Sequence, residues 1–268
     1  MKTLKKLLAL TMSLCVLFAL GACSQDAAGD GESDTLILGT SADYPPYEFH
    51  MLDENGNDQI VGFDISLAYQ IAEDMGKELV IKDMAFEFVE QELQNGTVDI
   101  VLACIAPTPE RLEMEDFSDI YREDPAPIMV IREEDADTYT SIESMVGKIV
   151  GVQSATTKKD LIVENMPDSE LLELAGVPDL INNLLSEKCD GVFLDGGVAL
   201  GYIENTDGLV AAEGIEIGEG DRMAVAVQKG DPKGLLDSIN QTIAECKENG
   251  KLDEWYAEAQ ELSAQASE

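Results

Sequence analysis

From residue 35 onward the hydrophobic positions switch repeatedly between two rhythms. Short apolar runs fall at 35–40, 79–81, 98–103, 127–132, 148–152, 171–174, 191–194 and 223–227, the length and composition of buried strands. Between them, helical spacing predicts helices over 65–75, 86–94, 158–165, 177–187 and 199–204. Two longer helices, 231–249 and 252–262, close the chain. Ile65, Ala68, Tyr69, Ile71 and Ala72 give the first helix its apolar face; Asp64 suits its N-cap and Gly76 its end. Asn55-Gly56 reads as a hairpin turn after the proline-stiffened loop 41–49. Strand and helix alternate, which predicts parallel α/β sheets, and the alternation starts afresh after residue 132, so there are two α/β units.

The polar residues at the strand exits carry the candidate chemistry. In the first unit the exit is Ala103 to Arg111. Pro107 and Pro109 stop the strand, Thr108 suits an N-cap, and Pro109 and Glu110 suit the first helical turn. A helix N-terminus at the carboxyl end of a strand favours an anion, and Arg111 adds a planar fork matched to a carboxylate. The second unit contributes the loop 154–157 and, after the run 191–194, Asp195. Two sheets facing each other would bring these groups into one cleft, with donors for an anion and a carboxylate for a cation. A small ligand that carries one charge of each sign is a zwitterion.

Composition narrows the class. There are 54 acidic against 17 basic residues, a formal charge of −37, which argues against a nucleic-acid partner. His50 is the single histidine, so no His/Cys ligand set exists; neither a metal nor a cofactor is expected. Cys104, Cys189 and Cys246 imply no disulfide framework and read as small buried residues. At the other end, Lys2, Lys5 and Lys6 precede an apolar run over 7–20 that ends in Leu20-Gly21-Ala22-Cys23. This resembles a bacterial lipoprotein signal, cut before Cys23, whose thiol then carries the lipid. Residues 1–22 are then the signal and 23–34 a Gly- and Asp-rich tether.

Several motifs in a fixed order make the chain similar to the family 3 extracellular solute-binding proteins, the amino-acid receptors of ABC importers. They are Tyr44-Pro45-Pro46-Tyr47-Glu48-Phe49, Val61-Gly62-Phe63-Asp64, Pro107-Thr108-Pro109-Glu110-Arg111, Asp116-Phe117-Ser118-Asp119, Gly151-Val152-Gln153 with Thr156-Thr157, and Asp190-Gly191-Val192 with Asp195. The resemblance implies two lobes, 35–124 with 226–268 and 125–225, joined by two crossing strands, with the ligand cleft between them. It implies a monomeric binding protein rather than an enzyme, lipid-anchored on the extracytoplasmic face and delivering a free amino acid to a membrane permease. A ligand-sensing receptor and a dehydratase-like enzyme on the same fold are the alternatives.

The resemblance also assigns roles. Arg111 would pair with the ligand carboxylate, helped by the backbone of Ala106 and by Thr157. Asp195 would take the ammonium, with backbone oxygens near Cys104. Tyr44 and Phe86 would sandwich the side chain, with Phe63 behind that wall. Tyr47, Phe49 and Phe63 read as core, and Asp43 and Asp64 as caps. Ala155 stands where the family usually has glycine. Ser41 stands where receptors for basic amino acids often carry an acid, and no spare Lys or Arg is evident at matched positions. A neutral ligand is therefore expected first and a basic one second, the latter if Asp43 or Glu48 supplies the counter-charge.

Overall fold

The computed structural model describes residues 34–266. The lipoprotein-type signal, Cys23 and the tether up to residue 33 lie outside the described residues.

Strand β1 (Thr35–Thr40) is covered on both faces, Leu36 and Leu38 by one apolar cluster and Ile37 by another. The segment expected as a loop folds as a three-stranded meander of β2 (Asp43–Tyr44), β3 (Glu48–Leu52) and β4 (Asp58–Val61), with the Asn55-Gly56 turn between the last two. Helix α1 (Phe63–Asp74) follows. At Gly62, φ is 128° and a Cβ would lie 2.2 Å from the Tyr47 carbonyl oxygen, so only glycine fits. The buried stripe of α1 runs through Asp64, Leu67, Ala68 and Ile71. That leaves Tyr69 beyond its edge and exposed, contrary to expectation. Next come β5 (Glu78–Asp83), α2 (Phe86–Gln94), β6 (Ile100–Val101), the single turn α3 (Arg111–Met114) and β7 (Glu115–Phe117).

The chain then passes through β8 (Arg122–Glu123) into β9 (Ile128–Arg132), β10 (Ile149–Gln153), α4 (Thr157–Asn165), β11 (Glu170–Leu174), α5 (Val177–Leu185), β12 (Gly191–Leu194), α6 (Gly196–Asn205) and β13 (Leu209–Ala211). It returns through β14 (Arg222–Met223) to β15 (Ala226–Gln228), α7 (Leu236–Glu248) and α8 (Lys251–Ala266). The first sheet has the order β5-β1-β6-β15-β7 and the second β11-β10-β12-β9-β13. Both are mixed rather than parallel. In each, one strand runs against its neighbours: β15 against β6 and β7, and β9 against β12 and β13. These are the strands by which the chain enters one sheet from the other. The two connections lie side by side, β8 pairing antiparallel with β14. The run 223–227, expected as one strand, splits there because Met223 pairs with β8 and Ala226 with β6.

Candidate functional site

The exit of β6 is shaped by a carboxylate buried beneath it. Cys104 sits at φ 49°, in the left-handed region, and its N–H donates to Asp64 Oδ2 at 2.9 Å. The Tyr121 hydroxyl donates to the same carboxylate, 2.9 Å from each oxygen. Asp64 is therefore not a cap for its own helix: it is fully buried and fixes the bend that aims residues 103 and 104 at the cleft. Burial pushes its carboxyl up to about 6, against the donors that hold it. Glu48 lies beside it; burial, then the charges of Asp64 and Asp43, raise its carboxyl well above the usual range and favour the protonated form. Its Oε2 is buried without a partner.

Arg111 does not sit in the helical context expected of it. Residues 107–110 precede the helix, Thr108 Oγ1 accepts the Arg111 N–H at 3.2 Å, and α3 is one turn long. So short a helix has little dipole to offer, and the attraction for an anion rests on the guanidinium itself. Arg111 is 9% exposed. Its Nε donates to Glu90 Oε1 at 2.6 Å, a terminal nitrogen donates to the Ala106 carbonyl at 3.2 Å, and the group lies 5.6 Å from the Phe86 ring centre. Glu90 and Ala106 thus orient the fork and leave it further donors. Ala106, expected at the ligand, does not line the cleft; its carbonyl holds Arg111 instead.

The opposite wall comes from the second sheet. Thr156 precedes α4 and Thr157 begins it, after Ala155 at φ 60°. Asp195 stands at the exit of β12, with both oxygens engaged. The Tyr44 hydroxyl, from β2 of the meander, donates to Oδ2 at 2.5 Å, and Lys158 Nζ donates to Oδ1 at 2.5 Å. Lys158 also reaches Asp221 Oδ2 at 2.7 Å, and Thr157 Oγ1 lies 3.3 Å from that same oxygen. Burial alone would pull the Lys158 ammonium down; the two carboxylates more than offset it and hold it charged above the ordinary lysine range. Asp43 does act as a cap, but for a helix of the other sheet. Its Oδ2 accepts the N–H of Val177, the first residue of α5, at 3.2 Å, and its Oδ1 accepts the Ser41 hydroxyl at 3.1 Å. Burial pushes the Asp43 carboxyl up to about 6.

Together these residues line a narrow cleft whose space between atoms, solvent at its open mouth included, is about 330 Å³. Of the expected site residues, Ser41, Tyr44, Phe86, Cys104, Arg111, Thr157 and Asp195 line this one cleft. Asp43, Glu48, Gln153, Thr156, Lys158 and Asp221 join them. Lys158 and Asp221 are the two that sequence reasoning missed altogether. The one available signal was a lysine in the first turn of a helix directly after the matched Thr157. Tyr47, Phe49 and Phe63 are buried away from the cleft, as expected of core. Among the described residues no group of His, Cys, Asp and Glu is placed to hold a metal ion, and Cys104, Cys189 and Cys246 are free and buried.

Residues 36–259 match the family described as bacterial extracellular solute-binding proteins, family 3. The chain is 33% identical over 258 residues to the arginine-binding extracellular protein ArtP of Bacillus subtilis (strain 168), covering 93% of this chain and 96% of that protein. It is 28% identical over 235 residues to the ABC transporter arginine-binding protein 1 of Escherichia coli (strain K12), covering 85% and 93%. Its fold matches the amino acid ABC transporter substrate-binding protein AbpA of Streptococcus pneumoniae, solved bound to L-arginine, with a TM-score of 0.82 at 31% identity over 86% of this chain and 96% of that one.

Proposed function

Since the chain belongs to the bacterial extracellular solute-binding proteins of family 3, we propose that its cleft takes a free basic amino acid, arginine first, for delivery to a membrane permease. At the coarser level the assignment is plain. This is an amino-acid ABC transporter substrate-binding protein of the periplasmic-binding-protein fold, it works outside the cytoplasm, and its relatives bind rather than catalyse.

The observation that carries the ligand class is the charge lining one cleft. Arg111 and Lys158 face Asp43, Asp195 and Asp221, with the fourth acid, Glu48, held toward its protonated form by burial, so the lining is short of one positive charge, which a ligand of net charge +1 would supply. Arg111 with Thr157 takes the α-carboxylate, Asp195 takes the α-ammonium, and the aliphatic stem passes between Tyr44 and Phe86. The cationic end goes to Asp43, the unpartnered Oε2 of Glu48 and the Ser41 hydroxyl. This departs from the neutral ligand expected from Ser41, because Asp43 lines the cleft instead of capping its own segment. The arginine-binding relatives point the same way. In this reading one lobe is 35–124 with 226–268, the other is 125–225, and the monomer closes them on the ligand.

A thermal-shift screen of the twenty amino acids at matched ionic strength tests the proposal, since a ligand raises the melting point by mass action. Arginine and lysine should give the largest shifts. A shift by neutral amino acids alone would overturn the basic class, and no shift at all would overturn the amino-acid ligand. Anchoring is proposed through Cys23. Cys23→Ala should move the protein out of the membrane fraction; equal retention would refute it.

A further inference from the structure

Lys158 occupies a place in the fold that local rules disfavour. It is the second residue of α4, where the positive end of the helix dipole repels a cation, and it is 4% exposed. What holds it there is the pair Asp195 and Asp221, at 2.5 and 2.7 Å. The other Asp195 oxygen accepts the Tyr44 hydroxyl at 2.5 Å, so each oxygen has a short hydrogen bond and the carboxylate's charge faces an ammonium before any ligand arrives. A ligand ammonium meeting Asp195 therefore meets a carboxylate that already has an ammonium on it. A lysine that keeps Asp221 can give up Asp195 without losing every partner. A residue set against its local propensity inside a binding cleft is where function overrides folding consistency.

We infer that Lys158 is a tethered competitor for the ligand's α-ammonium, holding Asp195 until a ligand displaces it. Binding then exchanges one ammonium for another, and the α-ammonium contributes little to affinity. The cleft accordingly accepts ligands defined by a carboxylate and a cationic side chain, with or without an α-amino group: basic amino acids and their deaminated analogues. This rests on the proposed carboxylate and ammonium assignments and adds to them the class of derivative that is accepted.

The test is calorimetry with L-arginine and 5-guanidinopentanoate, which lacks only the amino group, on the wild type, Lys158→Met and Lys158→Gln. Loss of an unopposed buried charge partner ordinarily costs about 30-fold or more in affinity. The wild type should instead discriminate between the two ligands by less than about tenfold. In Lys158→Met arginine should bind about tenfold tighter or better, and discrimination should widen by at least as much. Lys158→Gln should fall between. Wild-type discrimination of about 100-fold, or weaker arginine binding in both variants, would overturn the inference. The wild-type arm needs no variant to fold. If the amino-acid screen instead selects a neutral ligand, the basic-ligand reading fails, and the same comparison with that amino acid and its deaminated analogue still decides the role of Lys158.

Discussion

The two walls of the cleft use the same device, a charged side chain at a strand exit, and leave it in opposite states. On the first sheet Arg111 is oriented by Glu90 and Ala106 but keeps donors in reserve. On the second sheet Asp195 is already engaged, by the Lys158 ammonium on one oxygen and the Tyr44 hydroxyl on the other. A guanidinium with five donors can be positioned and still present free donors; a carboxylate beside a built-in ammonium keeps acceptor sites, but its charge is already compensated. The carboxylate end of a ligand therefore meets a prepared partner, and the ammonium end meets a competitor.

Removing Arg111 should break the comparison most severely. Arg111→Ala should weaken arginine binding by ~2–5 kcal/mol, roughly 30- to several-thousand-fold, read by calorimetry. Arg111→Lys should recover only part of this, since lysine cannot offer the fork. Asp195→Ala should divide its effect differently. Affinity should fall less than in Arg111→Ala, because the ammonium gained little there. Stability should fall more, because Lys158 keeps only Asp221. Breaking a buried pair and the size of the chain together put the loss at roughly 6–20 °C in melting temperature. Equal losses of affinity in the two alanine variants, with no difference in melting, would erase the asymmetry.

Smaller effects come from the buried acids. Asp43 and Asp64 have carboxyls pushed up by burial to about 6 in the folded protein. Between the ordinary carboxylate range and 6 the folded chain holds protons that the unfolded chain has released, so stability declines as pH rises through that window. Without ligand the melting temperature should be higher at pH 5 than at pH 8, and Asp64→Asn should flatten the slope; a rise toward pH 8 would contradict the assignment. The smallest effect concerns the loop before α4. Ala155 at φ 60° is in the conformation glycine favours, and Ala155→Gly should gain up to ~1 kcal/mol in thermal melts without changing affinity.

The sequence carried the two α/β units and parts of both walls, because strand runs, helical spacing and proline breaks are local signals. Tyr44, Arg111, Thr157 and Asp195 stand in motifs of the chain itself, and Ser41, Phe86 and Cys104 follow from the family resemblance those motifs carry. What it hid was set by distant partners. Lys158 reads as an ordinary helical lysine until Asp195 and Asp221, 37 and 63 residues away, close over it. Asp64 reads as a cap until Cys104 and Tyr121 arrive, 40 and 57 residues on. Asp43 caps a helix 134 residues later rather than its own segment. The reversed strands β9 and β15 were equally invisible, since an apolar run does not record its direction; the crossing of the chain between sheets sets it.

The asymmetry of the walls is tested most directly by calorimetry of the wild type with three ligands: L-arginine, agmatine, which lacks the carboxylate, and 5-guanidinopentanoate, which lacks the ammonium. Agmatine should bind at least about 100-fold more weakly than arginine, and 5-guanidinopentanoate within about tenfold of it. Agmatine binding as tightly as arginine, or both analogues losing affinity equally, would contradict the account.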